Sequence, residues 1–276
     1  MATIAITGAN SGIGLRAARR LGYDGHRVLA LCRSVDRARA ALGPDVAVVE
    51  THMDDLDSVE AAAARLSSEG VDVLINSAAV FDLGMKTREV TPAGFERVWA
   101  TNHLGPAALA ARLMPTLARS SDGRAVFIAS KGLLAMPRLG IRWDELDGSG
   151  WYTPTKAYYH AKLAQVMVAE TLAEQWGGEV SVSCLRVPAV RLDADKLAAQ
   201  PAVQRFLYAP KNRAAAPPEE IAEAYERLAV GRRPEGVYVD ESLEACALPR
   251  FARDAGNRAR LASVTEEAIG VPLGRV

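Results

Sequence analysis

The feature that most limits how this chain can fold is the regular exchange of short apolar runs for amphipathic stretches along its 276 residues. Thr3–Thr7, Arg27–Cys32, Val46–Glu50, Val71–Asn76, Arg124–Ala129, Val180–Val187 and Gly236–Val239 read as strands. Between them, Ile13–Leu21, Val35–Leu42, Leu56–Ser67, Pro92–Arg119, Pro154–Trp176 and Pro217–Ala229 read as helices. The strand runs are nearly continuous in apolar residues, the pattern of a parallel sheet covered on both faces. Strand–helix alternation throughout predicts an α/β fold, one domain over residues 1–276 built on a doubly wound parallel sheet. Such sheets bind ligands at the carboxyl ends of their strands. The motifs that bear on chemistry fall at those ends.

Composition removes several function classes. Lys and Arg together number 33, as do Asp and Glu, so the formal charge is zero. The basic footprint of a nucleic-acid binder is absent. Cys32, Cys184 and Cys246 are scattered, without metal-ligand spacing and odd in number, so neither a metal site nor a disulfide framework is expected. The chain opens on a strand-like run and holds no apolar stretch near the ~20 residues that span a bilayer. A cytoplasmic protein with no membrane partner is the expectation.

The first strand runs into Thr7-Gly8-Ala9-Asn10-Ser11-Gly12-Ile13-Gly14. Glycines let a backbone turn tightly and approach a phosphate without a Cβ in the way. The helix that follows offers free N–H groups and its positive dipole end to an anion. The second strand ends at Cys32-Arg33-Ser34. An acid there would grip a ribose 2′-hydroxyl, whereas a guanidinium fits a 2′-phosphate bidentately. The fourth strand ends at Asn76-Ser77-Ala78-Ala79, where small side chains let a ligand pack on backbone, and the fifth at Ala129-Ser130.

Helix Pro154–Trp176, with Thr153 as its N-cap and proline at its first position, carries Tyr158-Tyr159-His160-Ala161-Lys162. Residues four apart share a helical face, so Tyr158 and Lys162 are neighbours. A free tyrosine is a weak base near neutrality, and an adjacent ammonium favours its phenolate. Tyr152 and Lys156 repeat the spacing, but Tyr152 precedes the proline that starts the helix and cannot share its face. In Asn102-His103-Leu104-Gly105 a polar side chain interrupts an apolar run, and buried it would need partners. Met136, Leu139, Trp143, Trp151 and Phe206 could line an apolar pocket or pack in the core.

Together these motifs resemble the short-chain dehydrogenase/reductase family. Thr7–Gly14 is similar to its T-G-x-x-x-G-I-G turn, and not to the G-x-G-x-x-G of longer Rossmann dehydrogenases. Asn76–Ala79, Asn102–Gly105, Ser130, and Ala157-Tyr158 through Lys162-Leu163-Ala164 follow in the family's order. The set resembles the branch containing retinol dehydrogenases and protochlorophyllide reductases. That branch carries an insert between its catalytic Ser and Tyr, here residues 131–157 with Trp143-Asp144-Glu145-Leu146.

The resemblance implies a Rossmann-type fold, a substrate loop over residues 189–215 and NADP(H) as cofactor. It implies that Ser130 bonds the substrate oxygen and Tyr158 exchanges the proton. Lys162 would hold the nicotinamide ribose and lower the Tyr158 phenol, and Asn102 would hold a relay water. Gly8, Asn10, Ser11, Gly12, Ile13, Gly14, Arg33, Ser34, Met53, Asn76, Ala78, Tyr158, Lys162 and Pro188 would line the cofactor. The implied reaction moves a hydride between the nicotinamide and a small carbonyl or secondary-alcohol substrate, as a ketone or aldehyde reductase. An epimerase, dehydratase or cyclase on the same scaffold, or a non-catalytic NADP-sensing regulator, stays open.

Several positions depart from the family pattern: His52-Met53 in place of its Asp before a small apolar residue, Ser77 and Ala79 in its N-N-A-G, Ala189 in its Pro-Gly, Asp193 in place of Thr, and Ala161 before the lysine. Helix Pro154–Trp176 is apolar nearly all round (Ala164, Val166, Met167, Val168, Leu172), which predicts burial on both sides. Family members often pair this helix with its twin, which implies a homodimer or homotetramer.

Overall fold

In the computed structural model, residues 1–191 and 215–275 are described. Most of the expected substrate loop, with Asp193 and Phe206, lies outside them. Seven strands form one sheet among the described residues: β1 (Thr3–Thr7), β2 (Arg27–Cys32), β3 (Ala47–Glu50), β4 (Val73–Asn76), β5 (Arg124–Ser130), β6 (Ser181–Val187) and β7 (Tyr238–Val239). They lie in the order β3-β2-β1-β4-β5-β6-β7, and every pair is parallel. The order reverses between β1 and β4, which opens a crevice at their carboxyl ends. The doubly wound α/β sheet expected from the sequence is the one found.

Helices cover both faces, which is why the strands are apolar throughout. α1 (Gly12–Tyr23), α2 (Val35–Leu42) and α7 (Pro218–Val230) flank one core, with Ile4, Ile6, Ile75 and Tyr225 inside it. α3 (Leu56–Glu69), α5 (Gly105–Leu117) and α6 (Pro154–Trp176) close the other over Leu29, Leu74 and Phe127. Burying each such side chain contributes roughly 1.5–3 kcal/mol. Ser34 caps α2 by accepting from the Arg37 N–H at 3.4 Å, and Asp55 caps α3 through the Asp57 and Ser58 N–H groups. Caps of this kind are worth about 1 kcal/mol each.

One expectation needs correction, and two further features were not expected. The helix placed over Pro92–Arg119 does not begin at the proline. Residues 92–94 turn, Gly94 takes φ +87°, and Glu96 then accepts from the Val98 and Trp99 N–H groups at 2.8 Å. A short helix α4 (Arg97–Trp99) follows, then a π-helical turn over Ala100–Leu104, and only then α5. Second, the C-terminal region carries a helix that its weak apolar periodicity did not signal, α8 (Ala255–Ile269). Third, α8 packs on α6. Arg258 pairs with Glu174 at 2.7 Å, and the Trp176 indole donates to the Leu273 carbonyl at 2.9 Å. The apolar girth of α6 is thus covered by its own chain, and its burial requires no second copy. Among the described residues, no helix is long and apolar enough to cross a membrane.

Candidate active site

The glycine turn sits where β1 hands over to α1. Gly8 has φ +69°, and a Cβ there would meet the Ala78 Cα at 3.0 Å, so only glycine fits. The Ala78 N–H donates to the Thr7 hydroxyl at 2.9 Å, which ties this turn to the end of β4. Ser11, exposed at the N-cap of α1, makes no capping bond through its side chain. The start of the helix is thereby left to an anion. Asn10, Gly12 and Ile13 stand half-buried around it, and Gly14 is buried beneath. This cradle fits the pyrophosphate of a dinucleotide.

At the end of β2, Arg33 is exposed and has no hydrogen-bond or ion partner among the described residues. Cys32 is buried; burial pushes its thiol up, against bonds from the Ala9 and Asn10 main chain. The parallel register sets Glu50 beside Cys32, an acid brought in from β3 that the second strand alone does not reveal. Glu50 lies 3.3 Å from the His52 ring. The Ser34 hydroxyl is engaged in capping α2. Met53 is buried in the core, its carbonyl close against Gly105 of α5. Asn76 is fully buried, with neither carboxamide atom bonded among the described residues. Pro188 follows β6, half-buried.

Tyr158, Ser130 and Lys162 come together at the carboxyl edge of β5. The Ser130 hydroxyl accepts from the Gly132 N–H at 3.2 Å and stands close enough to the Tyr158 phenol to act on its charge. Burial pushes the Tyr158 phenol up, the adjacent Tyr159 adds to this, and Ser130 opposes it. Lys162 is 1% exposed; its ammonium lies 5.7 Å from the Tyr158 ring centroid. It donates to the Ile128 carbonyl at 2.6 Å and to Gln165 Oε1 at 2.8 Å. Burial lowers its pKa to about 8. Burial is the largest of these influences on Tyr158. Gln165 was missed, although its place three residues past Lys162 on one helix face was open to reading.

Asn102 comes to the site through the π-helical turn, a distortion frequent at functional positions. Its Oδ1 accepts from the Val80 N–H at 2.7 Å and its Nδ2 donates to the Val80 carbonyl at 2.8 Å. It clamps the loop after β4. Tyr152 lies outside α6, its hydroxyl donating to the Met85 carbonyl at 3.1 Å, and Lys156 is exposed. Trp143 packs near Phe251 under the Arg260 guanidinium, and Trp151 is buried against His160, so both serve packing.

His160 fastens the 131–157 insert to the catalytic helix. Its ring lies between Trp99 and Trp151, and its Nε2 accepts from the Arg142 N–H at 3.1 Å. Burial first, and the Arg142 charge second, lower its pKa to about 4. An unfolded histidine titrates near 6.5. Between those values the unfolded chain binds more protons, so stability falls as pH falls. From pH 6 to pH 5 this group should cost about 1 kcal/mol. Urea melts at the two pH values should show that loss shrinking by this amount in His160→Gln; an unchanged loss would mean the ring is charged in the fold.

Comparison with known proteins agrees with this geometry. A family model for short chain dehydrogenases matches residues 2–139. Dehydrogenase/reductase SDR family member 13 of Bos taurus is 37% identical over 194 residues, covering 66% of this chain and 49% of that protein. Retinol dehydrogenase 14 of Mus musculus is 31% identical over 297 residues, covering 98% of this chain and 86% of its own length. The chain thus spans about half the length of the first of these relatives. A crystal structure of an uncharacterized protein from Mycobacterium paratuberculosis superposes with a TM-score of 0.73 at 26% identity, covering 100% of this chain and 96% of that one.

Proposed function

We propose that this chain, which belongs to the short-chain dehydrogenase/reductase family, is an NADP(H)-dependent oxidoreductase that reduces a ketone or aldehyde, or runs the reverse oxidation. The observation that carries this reading is the pairing of Tyr158 with Ser130 at the carboxyl edge of the sheet, with Lys162 one turn further along α6. The glycine turn of residues 8–14 would hold the cofactor's phosphates and Arg33 its 2′-phosphate. When bound, the nicotinamide supplies or takes the hydride.

The residues divide the remaining work. Ser130 orients the carbonyl by donating its hydroxyl to the oxygen. Tyr158, protonated near neutrality as an ordinary phenol is, gives its proton to that oxygen as negative charge grows there. Lys162, still cationic at pH 7, stabilises the phenolate left behind. Ile128 and Gln165 hold it in place.

The test is consumption of NADPH against a panel of ketones and aldehydes. Ser130→Ala should lower turnover about tenfold, the scale of one hydrogen bond to a developing charge. NADP affinity, measured by isothermal titration, should hold. A large loss of affinity would make Ser130 a cofactor or structural residue instead. Conversion of substrate without net NADPH consumption would place the chain among the epimerases, dehydratases or cyclases.

A further inference from the structure

The loop that leaves β4 carries a side chain with no part in the reaction described above. Phe81 is 50% exposed, yet its ring lies against that of Tyr158, with centroids 4.4 Å apart and planes inclined by 38°. The loop is held from behind, because Asn102 occupies both main-chain groups of Val80. The next residue therefore leaves a fixed point. One side of Phe81 is spent on Tyr158 and the rest of the ring is open.

Among the described residues, four of the seven exposed large apolar side chains lie on the loops that leave β4 and β5: Phe81, Leu83, Val90 and Leu134. Single exposed apolar residues are ordinary, but Phe81 is set against the ring of Tyr158. These loops flank Ser130 and Tyr158. Building on the oxidoreductase reading, we propose that Phe81 is a specificity-determining residue, a shelf on which a flat aromatic or conjugated group beside the carbonyl carbon stacks. A ring lying there carries its carbonyl toward the Tyr158 and Ser130 hydroxyls. A saturated ring of the same skeleton is thicker and lacks the π-face that stacks on Phe81.

Acetophenone and cyclohexyl methyl ketone share a carbon skeleton and differ in flatness. Their kcat/KM values, and their dissociation constants on the NADP-saturated protein, should be measured for the unmodified chain and Phe81→Leu. Stacking of this kind predicts that the preference for acetophenone falls about three- to tenfold in the variant, chiefly through KM, with a matching fall in the ratio of dissociation constants. The melting temperature should hold, since Phe81 is outside the core. An unchanged ratio, an equal gain for both ketones, or no binding of either to the unmodified protein overturns the proposal. If both ratios of dissociation constants behave as expected but neither ketone is reduced, the shelf stands and the oxidoreductase reading fails. Turnover with unmoved ratios removes the shelf alone.

Discussion

Replacing Tyr158 by Phe is expected to lower turnover by about 10²–10⁴-fold, the scale of a positioned general acid. The fold and NADP binding should hold. The substitution deletes one oxygen from a half-buried ring and keeps the surfaces that pack on Phe81 and Tyr159. What disappears is the proton donor itself. Lys162 cannot replace it, because two of its donors are committed to Ile128 and Gln165. Tyr152→Phe is the control, since among the described residues its hydroxyl bonds the Met85 carbonyl alone. Steady-state kinetics with NADPH, beside isothermal titration of NADP, separates the two variants. Loss of activity in Tyr152→Phe with activity kept in Tyr158→Phe would show that the wrong tyrosine has been chosen.

What could be read along the chain and what could not divide by the range of the forces involved. Strand runs such as Arg27–Cys32 and the helix Pro154–Trp176 with its Thr153 cap are local patterns, and the structure has them at those bounds. The glycine turn was legible because positive φ and close approach leave few residue types to choose from. The Tyr158–Lys162 pair was legible from helical spacing, and so was the exclusion of Tyr152. Pro92 misled because proline suits a helix start, while Gly94 in a left-handed conformation keeps the chain turning until Glu96 can cap. The placement of Phe81 on Tyr158, the clamp of Asn102 on Val80 and the arrival of Glu50 beside Cys32 join residues distant in sequence or strands set side by side by sheet order. Nothing local encodes them. The direction of the Tyr158 shift belongs to the same class, for it follows from burial that only packing creates.

Sheet order bears most directly on which nicotinamide cofactor is used. Arg33 lies one residue past the end of β2, exposed and without a partner among the described residues, so its guanidinium is available to a 2′-phosphate. Cys32 offers no carboxylate for a 2′-hydroxyl, and its sulfur is turned to the main chain of Ala9 and Asn10. Asp36, in the first turn of α2, makes no ion pair with Arg33. Glu50, set beside Cys32 by the sheet register and 3.3 Å from the His52 ring, would oppose a phosphate there. A hydrogen bond to a charged group is worth roughly 1.5–3 kcal/mol, so one such bond implies about a 10- to 150-fold preference for NADP(H) over NAD(H). Arg33→Ala should erase most of that preference by weakening NADP(H). Cys32→Asp should go further and turn the preference toward NAD(H), because it adds repulsion to the phosphate along with an acceptor for the hydroxyl. Glu50→Gln should widen the preference, since it removes the acid that the neighbouring strand brings in. Dissociation constants of both cofactors for the unmodified protein and the three variants decide the matter. Equal affinities in the unmodified protein, or a ratio indifferent to Arg33, would remove the assignment of NADP(H) and leave the roles of Tyr158 and Ser130 untouched.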